Sequence, residues 1–361
     1  MRYCLMNKDK LLLTFSCVQN EYDELSLSEN KWFSSAKPIG YTNIDSFVDR
    51  RKAPKHRKHI QELLERYGCE DITGFLKITH ALSLNDTFWV KEENSPLVWS
   101  DVSLYRNDFN EIISKAAFDG SFSDSSISST SPEFGTDGNY AKCWVRENGA
   151  IFLYKCGSAT YELEPVSEFL ATQLAERICS NYVGYDLDYY HNHLVCKCEL
   201  FTSESIGLAK VKDLGIKEKS IPVLLGFFES IGADDDFRRM CVLDALIMNI
   251  DRHLGNFGVL YDNDSMKILS MAPVYDNNRS LFFDLDNDQL KNVEWYVRKR
   301  KPRIGADFIS TAKGLLTDEI RQDLKNLIGF QFKQHDSIKI DQERLDLLSD
   351  FVNSQIRTIL L

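Results

Sequence analysis

The chain has 361 residues, enough for two or three substructures around an ample core, and 43% of them are aliphatic or aromatic, as in an ordinary soluble globular protein. Its formal net charge of −11 sets the bulk surface against nucleic acid and anionic membrane, so a site for a phosphorylated ligand must supply its own positive charge. No apolar run approaches a membrane span, and Leu11-Leu12-Leu13 is too short for a signal-peptide core; nine cysteines without a C-x-x-C pair suit reduced thiols in a cytoplasmic protein better than zinc or disulfides.

Residues 1 to about 120 read as a mixed α/β N-terminal subdomain, with a strand at Leu11-Leu12-Leu13-Thr14-Phe15. The basic stretch from Arg50 to His59 reads as a solvated face, because no interleaved aromatics mark a stacking platform for nucleic acid. Ile60, Leu63, Leu64 and Tyr67 then have helical spacing, with Gly68 as the stop. The aromatic-rich runs 82–90 and 97–102 are rich in strand formers and are expected in the core.

Residues 121–202 read as a second region. The Ser-rich stretch 119–132 is too polar to pack and reads as a linker, or, in a sharper reading, as a regulatory phosphosite loop. Gly135 and Gly138, followed by Lys142, could let backbone amides approach a phosphate, although Gly-x-x-Gly is common in hairpins. Asn148-Gly149 signals a hairpin between strands 143–146 and 151–155, with Ile151, Leu153 and Lys155 on one face. A helix is expected over 167–178, and strands over 183–187 and 193–202. His191 and His193 lack metal-ligating partners at suitable spacing and read as ordinary strand residues.

Residues 203–361 read as a mainly helical lobe without internal repeats. A short apolar helix is expected at 221–228, and a buried one from Phe237 to Met248 whose start carries Asp234-Asp235-Asp236. Asp244 on that helix should bond to backbone or to Arg252. Two amphipathic helices are expected from Thr317 to Leu361, and the basic run 298–303 reads as a solvated loop, or as a surface that meets an acidic protein substrate or a tRNA-bearing partner.

The chemistry concentrates in Asn249-Ile250-Asp251-Arg252-His253-Leu254-Gly255-Asn256 and, downstream, Ala272-Pro273-Val274-Tyr275-Asp276. Strands at 259–261 and 266–269 flank the turn-rich tetrad 262–265 and would return Asp276 to the neighbourhood of Asn256. Phosphoryl transfer from ATP to a hydroxyl needs a carboxylate to take the proton and oxygen ligands for Mg²⁺. Mg²⁺ takes only one or two protein carboxylates beside phosphate and water, so Asn256 and Asp276 suffice for the metal and Asp251 remains as the base.

Asn-x-Asp-Arg-His-x-x-Asn followed by Ala-Pro-x-Tyr-Asp resembles the catalytic and metal-binding loops of the HipA-like serine/threonine kinases; the Asp-Arg-His-x-x-Asn part is shared with phosphatidylinositol kinases. The resemblance implies an α+β, two-lobed protein-kinase-like fold and an ATP- and Mg²⁺-dependent serine/threonine protein kinase, with Asp251 as base, Asn256 and Asp276 on the metal, and His253 a structural loop residue. It further implies Lys155 on the nucleotide phosphates, steadied by Glu168, with Glu164 and Glu162 as substitutes. Loss of Lys155 or Glu168 is then expected to weaken ATP positioning more than folding. Lys142 is a secondary phosphate contact, and backbone around Glu199, Leu200 and Phe201 would meet adenine. The family also implies a protein substrate with a Ser or Thr hydroxyl, autophosphorylation in some members, and an antitoxin protein as partner. Direct nucleic-acid binding and membrane attachment are not expected. The rivals are a lipid or small-molecule kinase sharing the Asp-Arg-His-x-x-Asn loop, and an ATP-binding pseudokinase acting through partners.

Overall fold

The structure, a computed structural model, describes residues 1–19, 25–52, 62, 65, 71–119, 131–136, 140–158 and 160–361. It contains two compact units: one of residues 1–154, 200–209 and 260–268, the other of residues 155–199, 210–259 and 269–361. The helix expected around Ile60–Tyr67, most of the Ser-rich stretch, and Gly138 lie outside the described residues.

The first unit is built on an antiparallel sheet in the order β3-β2-β1-β4, from β1 (Arg2–Asn7), β2 (Lys10–Gln19), β3 (Leu25–Trp32) and β4 (Phe88–Glu92). Leu5 pairs with Leu13 on one side and with Val90 on the other. Alternate side chains of β1 and β4 enter two cores. Tyr3, Leu5, Phe88 and Val90 pack with Ile44, Phe47 and Val48 of α1 (Ile44–Asp49) and with Phe75 and Leu76 of α2 (Ile72–Thr79). Cys4, Met6 and Trp89 instead meet Leu82, Leu84 and Leu104, together with Trp99 and Val102 of α3 (Trp99–Val102). Of the run 97–102, Trp99 and Val102 are core as expected, but Val98 is exposed, because the stretch forms one helical turn with a single buried face where its β-prone residues suggested a strand.

Arg51 departs from the solvated face expected for the first basic cluster. It is buried, paired with Asp86, and donates to the carbonyls of Ala81 and Phe88 while its guanidinium covers the Phe47 ring. A guanidinium can be buried this way because its donors can be spread over several acceptors at once. α4 (Glu111–Asp119) precedes the hairpin of β5 (Lys142–Glu147) and β6 (Ala150–Cys156). Its turn is the expected Asn148-Gly149 pair, at φ 49° and 86°, the left-handed geometry a two-residue hairpin needs.

In the second unit, α5 (Glu164–Ile178) starts three residues earlier than the apolar periodicity suggested, with Pro165 in its first turn. The next hairpin pairs β7 (Asp186–Tyr190) with β8 (His193–Glu199). β7 lies downstream of the strand expected at 183–187, and His191 sits in the connecting turn at φ 49° instead of within a strand. β9 (Ile206–Lys210) belongs to the first unit up to Ala209, and the chain re-enters the second unit to form α6 (Ile221–Ser230) and α7 (Asp234–Ile247). As expected, α7 is buried from Phe237 onward apart from Arg238, and α5, α6, α10 (Phe308–Leu315) and α12 (Gln342–Leu360) pack around it. Between these elements come β10 (Gly258–Asp262), β11 (Ile268–Met271), α8 (Asn287–Leu290), α9 (Val293–Val297) and α11 (Asp318–Asn326). β10 and β11 form the hairpin expected between the two motif loops, closed by Asp262, which accepts from the Ser265 amide and hydroxyl.

Candidate active site

All the polar groups described next belong to the second unit. α7 ends at Met248, which takes the left-handed φ of 51° and donates its N–H to the Asp244 carbonyl. This cap turns the chain sharply into the Asn249–Asn256 loop. Asn249 is fully buried and supports the turn twice, with Oδ1 accepting from the Asp251 amide at 3.0 Å and Nδ2 donating to Asp244 Oδ1 at 3.1 Å.

Arg252 joins this loop to the second motif. Its guanidinium pairs with both oxygens of Asp244 and donates to the Asn256 carbonyl at 2.8 Å. It also donates to the Tyr275 carbonyl and to Asn277 Oδ1, on either side of Asp276. The group is 1% exposed, so each of these acceptors is satisfied away from water. Burial works against the Arg252 cation, but the Asp244 carboxylate outweighs it and raises the arginine pKa. The Asp244 carboxyl is itself pushed up by burial and held back by Arg252. The contact expected of Asp244 is therefore present, and Arg252 is the principal polar residue that the motif comparison left without a role.

Lys155, near the end of β6, donates to Glu168 Oε1 at 2.5 Å and to Asp276 Oδ1 at 2.7 Å. Lys155 is 4% exposed and Glu168 0%. Burial opposes the Lys155 charge, but Asp276 and then Glu168 more than compensate and hold its pKa well above the usual lysine value. Burial pushes the Glu168 carboxyl up; the Lys155 ammonium and the Asn277 amide, which donates to Glu168 Oε2 at 2.8 Å, oppose it. Tyr185 completes this group, its ring 5.1 Å from the Lys155 ammonium and its hydroxyl accepting from the Asp276 amide at 3.3 Å. Of the three carboxylates weighed for Lys155, Glu168 is the one in contact. Glu164 is buried in the first turn of α5 against Gly157, without a hydrogen-bond partner among the described residues, and Glu162 is exposed at a left-handed φ of 59°.

Asp276 also has a left-handed backbone, φ 59°, a conformation that Asp tolerates better than most residues. Its segment is tethered by a parallel bridge between Tyr182 and Val274, with backbone bonds of 2.9 and 3.0 Å. Downstream, Leu281 and Phe282 hold φ of 47° and 54°, uncommon for bulky residues, while Arg344 of α12 donates to the carbonyls of Leu281, Phe282 and Leu285. Burial lowers the Arg344 pKa to about 10.

The donor set fits a magnesium ion. Asn256 turns Nδ2 to the Asp251 carbonyl at 3.0 Å, which leaves Oδ1 as its oxygen donor, and the Asp276 side chain is 30% exposed. Among the described residues no group of three or more His, Cys, Asp or Glu could hold a metal on its own. Mg²⁺ completes its shell with phosphate oxygens and water and takes only one or two protein carboxylates, so Asn256 and Asp276 are a compatible set. The remaining predicted residues stand as follows. Lys142 opens β5, buried in the first unit; Phe201 is half-buried there; Glu199 ends β8, exposed.

The elements define a protein-kinase-like α+β fold. It resembles Shewanella oneidensis MR-1 HipA, solved in a complex with HipB and operator DNA, at a TM-score of 0.54 and 12% identity, covering 99% of this chain and 96% of that one. It also matches the Helicobacter pylori proinflammatory kinase CtkA at a TM-score of 0.47 and 15% identity, over 61% of this chain and 92% of that one. The fold expected from the HipA-like motifs is thus the fold of the chain. No family model matches the sequence, and a search of curated proteins finds no match.

Proposed function

We propose that the chain is an ATP- and Mg²⁺-dependent serine/threonine protein kinase. One observation carries the reading: the buried Lys155 ammonium bridges Glu168 and Asp276, while Arg252 ties the segment around Asp276 to the loop of Asp251 and Asn256. A structural ion pair would need one carboxylate. A second, partly exposed carboxylate on the same ammonium suits a site where phosphate oxygens and a metal share that charge.

In the proposed reaction the acceptor hydroxyl gives its proton to Asp251 and its oxygen attacks the γ-phosphorus in line. The bond from that phosphorus to the β,γ-bridging oxygen breaks, and ADP leaves. Lys155 holds phosphate oxygens, with Glu168 fixing its orientation, and Asn256 and Asp276 would hold Mg²⁺, which when bound neutralises charge on the phosphates. Lys142, with backbone near Gly138, Glu199 and Phe201, is assigned to the nucleotide. A toxin–antitoxin role with an antitoxin partner is part of the proposal, in keeping with the HipB-bound complex of the neighbour HipA; a cytoplasmic setting and autophosphorylation are proposed from the motif resemblance alone. Among the described residues no helix is long and apolar enough to cross a membrane.

Incubation with γ-labelled ATP, Mg²⁺ and whole-cell extract, followed by mass spectrometry, tests this reading. Label on Ser or Thr of one or a few proteins is the expected result; ATP binding without transfer to any protein, this chain included, would remove the kinase assignment.

A further inference from the structure

Asp251 is approached by two cations that the motif comparison does not supply. Arg303 Nη2 lies 3.6 Å from one of its carboxylate oxygens and Arg279 Nη1 lies 3.9 Å from the other. Neither distance is that of a hydrogen bond, so the pairs are loose and electrostatic. The Arg303 side chain is 59% exposed, and Arg279 keeps a buried Nε with no hydrogen-bond partner among the described residues. Two positive charges thus face one carboxylate.

The backbone of Arg279 is held by the Asp251 loop. The Arg279 carbonyl accepts from the Ile250 amide at 3.2 Å, and its guanidinium lies 5.4 Å from the Phe283 ring. Arg303 lies between Pro302 and Ile304, which close a void of about 10 Å³ lined also by Asp244, Asn249 and Arg252. Upstream, Arg300 pairs with Asp284 and covers the Phe282 ring. Of the basic run, Arg298, Lys299, Lys301 and Arg303 remain exposed in a chain of net charge −11. An exposed basic strip on a chain of net charge −11 is a local surface of the sign that attracts an acidic partner.

We propose that Arg279 and Arg303, extended by Arg298, Lys299 and Lys301, bind the acidic flank of a protein acceptor and so select Ser or Thr hydroxyls next to Asp or Glu side chains. The inference rests on the kinase reading of Asp251 and names its substrate class. Coulomb attraction draws the acidic flank to the strip, frees Asp251 from its two arginines and sets the acceptor hydroxyl beside it.

The test compares two synthetic Ser peptides, one flanked by Asp and Glu and one by Asn and Gln, with wild type, R303Q, R279Q and the double variant. Wild type should favour the acidic peptide in kcat/KM, each substitution should cut the acidic-to-neutral ratio by up to about fivefold, and the double variant should bring it near unity. R303E, at an exposed position, should lower the ratio further than R303Q. Fluorescence anisotropy with the same peptides reads the surface without any transfer. Acidic-peptide binding that weakens in R303Q supports the strip even if no phosphate moves, a result that would defeat the kinase reading alone. Transfer with no preference between peptides, or a ratio unchanged in the double variant, overturns the strip and leaves the kinase reading standing. Equal loss of acceptor-free ATP hydrolysis in R303Q would place the arginines on the nucleotide and also overturn it.

Discussion

Replacing Arg252 with Met removes the one cation facing Asp244, which is 5% exposed, and frees three further acceptors at Asn256, Tyr275 and Asn277. Loss of one partner from a buried ion pair costs about 3–5 kcal/mol, chiefly because the other charge stays buried without compensation. Against a typical total of about 5–15 kcal/mol, the variant should be close to unfolding in mild denaturant. The D244N/R252M double variant removes the stranded charge and should recover about 1–3 kcal/mol relative to R252M. Urea unfolding followed by far-UV circular dichroism gives both values, and calorimetric ATP titration of the folded variants should show weaker binding because the Asp276 segment is no longer held to the catalytic loop. An R252M penalty below about 1 kcal/mol, or strictly additive effects in the double variant, would refute the staple.

Two further outcomes are expected. K155M and E168Q should each weaken ATP binding and also lower the urea midpoint, because the structure buries the Lys155–Glu168 pair more completely than a solvated strand-end lysine would be; K155M should be the more damaging, since it strands a carboxylate that is 0% exposed. His80 carries a left-handed φ of 50°, and burial lowers its pKa below 6.5 while its ring lies 3.0 Å from the Val90 carbonyl. A depressed folded pKa means that the unfolded chain binds the proton first, so this contribution is present above pH 6.5 and lost as pH falls through the folded value, with a slope bounded by about 1.4 kcal/mol per pH unit. Thermal melts from pH 7.5 to 5.5 should fall more steeply for wild type than for H80N, whose Asn tolerates the same backbone; parallel slopes would dismiss His80 as the source.

What the sequence displayed is what recurs at short spacing. Asp251 and Asn256 lie in one loop, and a turn-rich hairpin brings the chain back toward Asp276, so the two motif segments could be read directly. Asp244 was legible for another reason: it is the one carboxylate between Phe237 and Met248, a stretch apolar but for Arg238 and Arg239, so it needs a buried donor, and Arg252 lies eight residues on. The first sheet was mostly hidden because β1 and β4 enter cores on both faces. Tyr3-Cys4-Leu5-Met6 therefore shows no polar alternation to mark it as a strand. The cations on Asp251 come from two segments remote in the chain, one of them a basic run whose composition looks like solvated loop, and no spacing rule joins them to the loop.

The central claim is that Asp251 accepts the proton of a hydroxyl during transfer from ATP, and Asp251→Asn tests it most directly. With γ-labelled ATP, Mg²⁺ and the modified protein identified from extract, transfer should fall by about 10²–10⁴-fold while ATP affinity stays close to wild type. Transfer at the wild-type rate by the Asn variant would contradict the account.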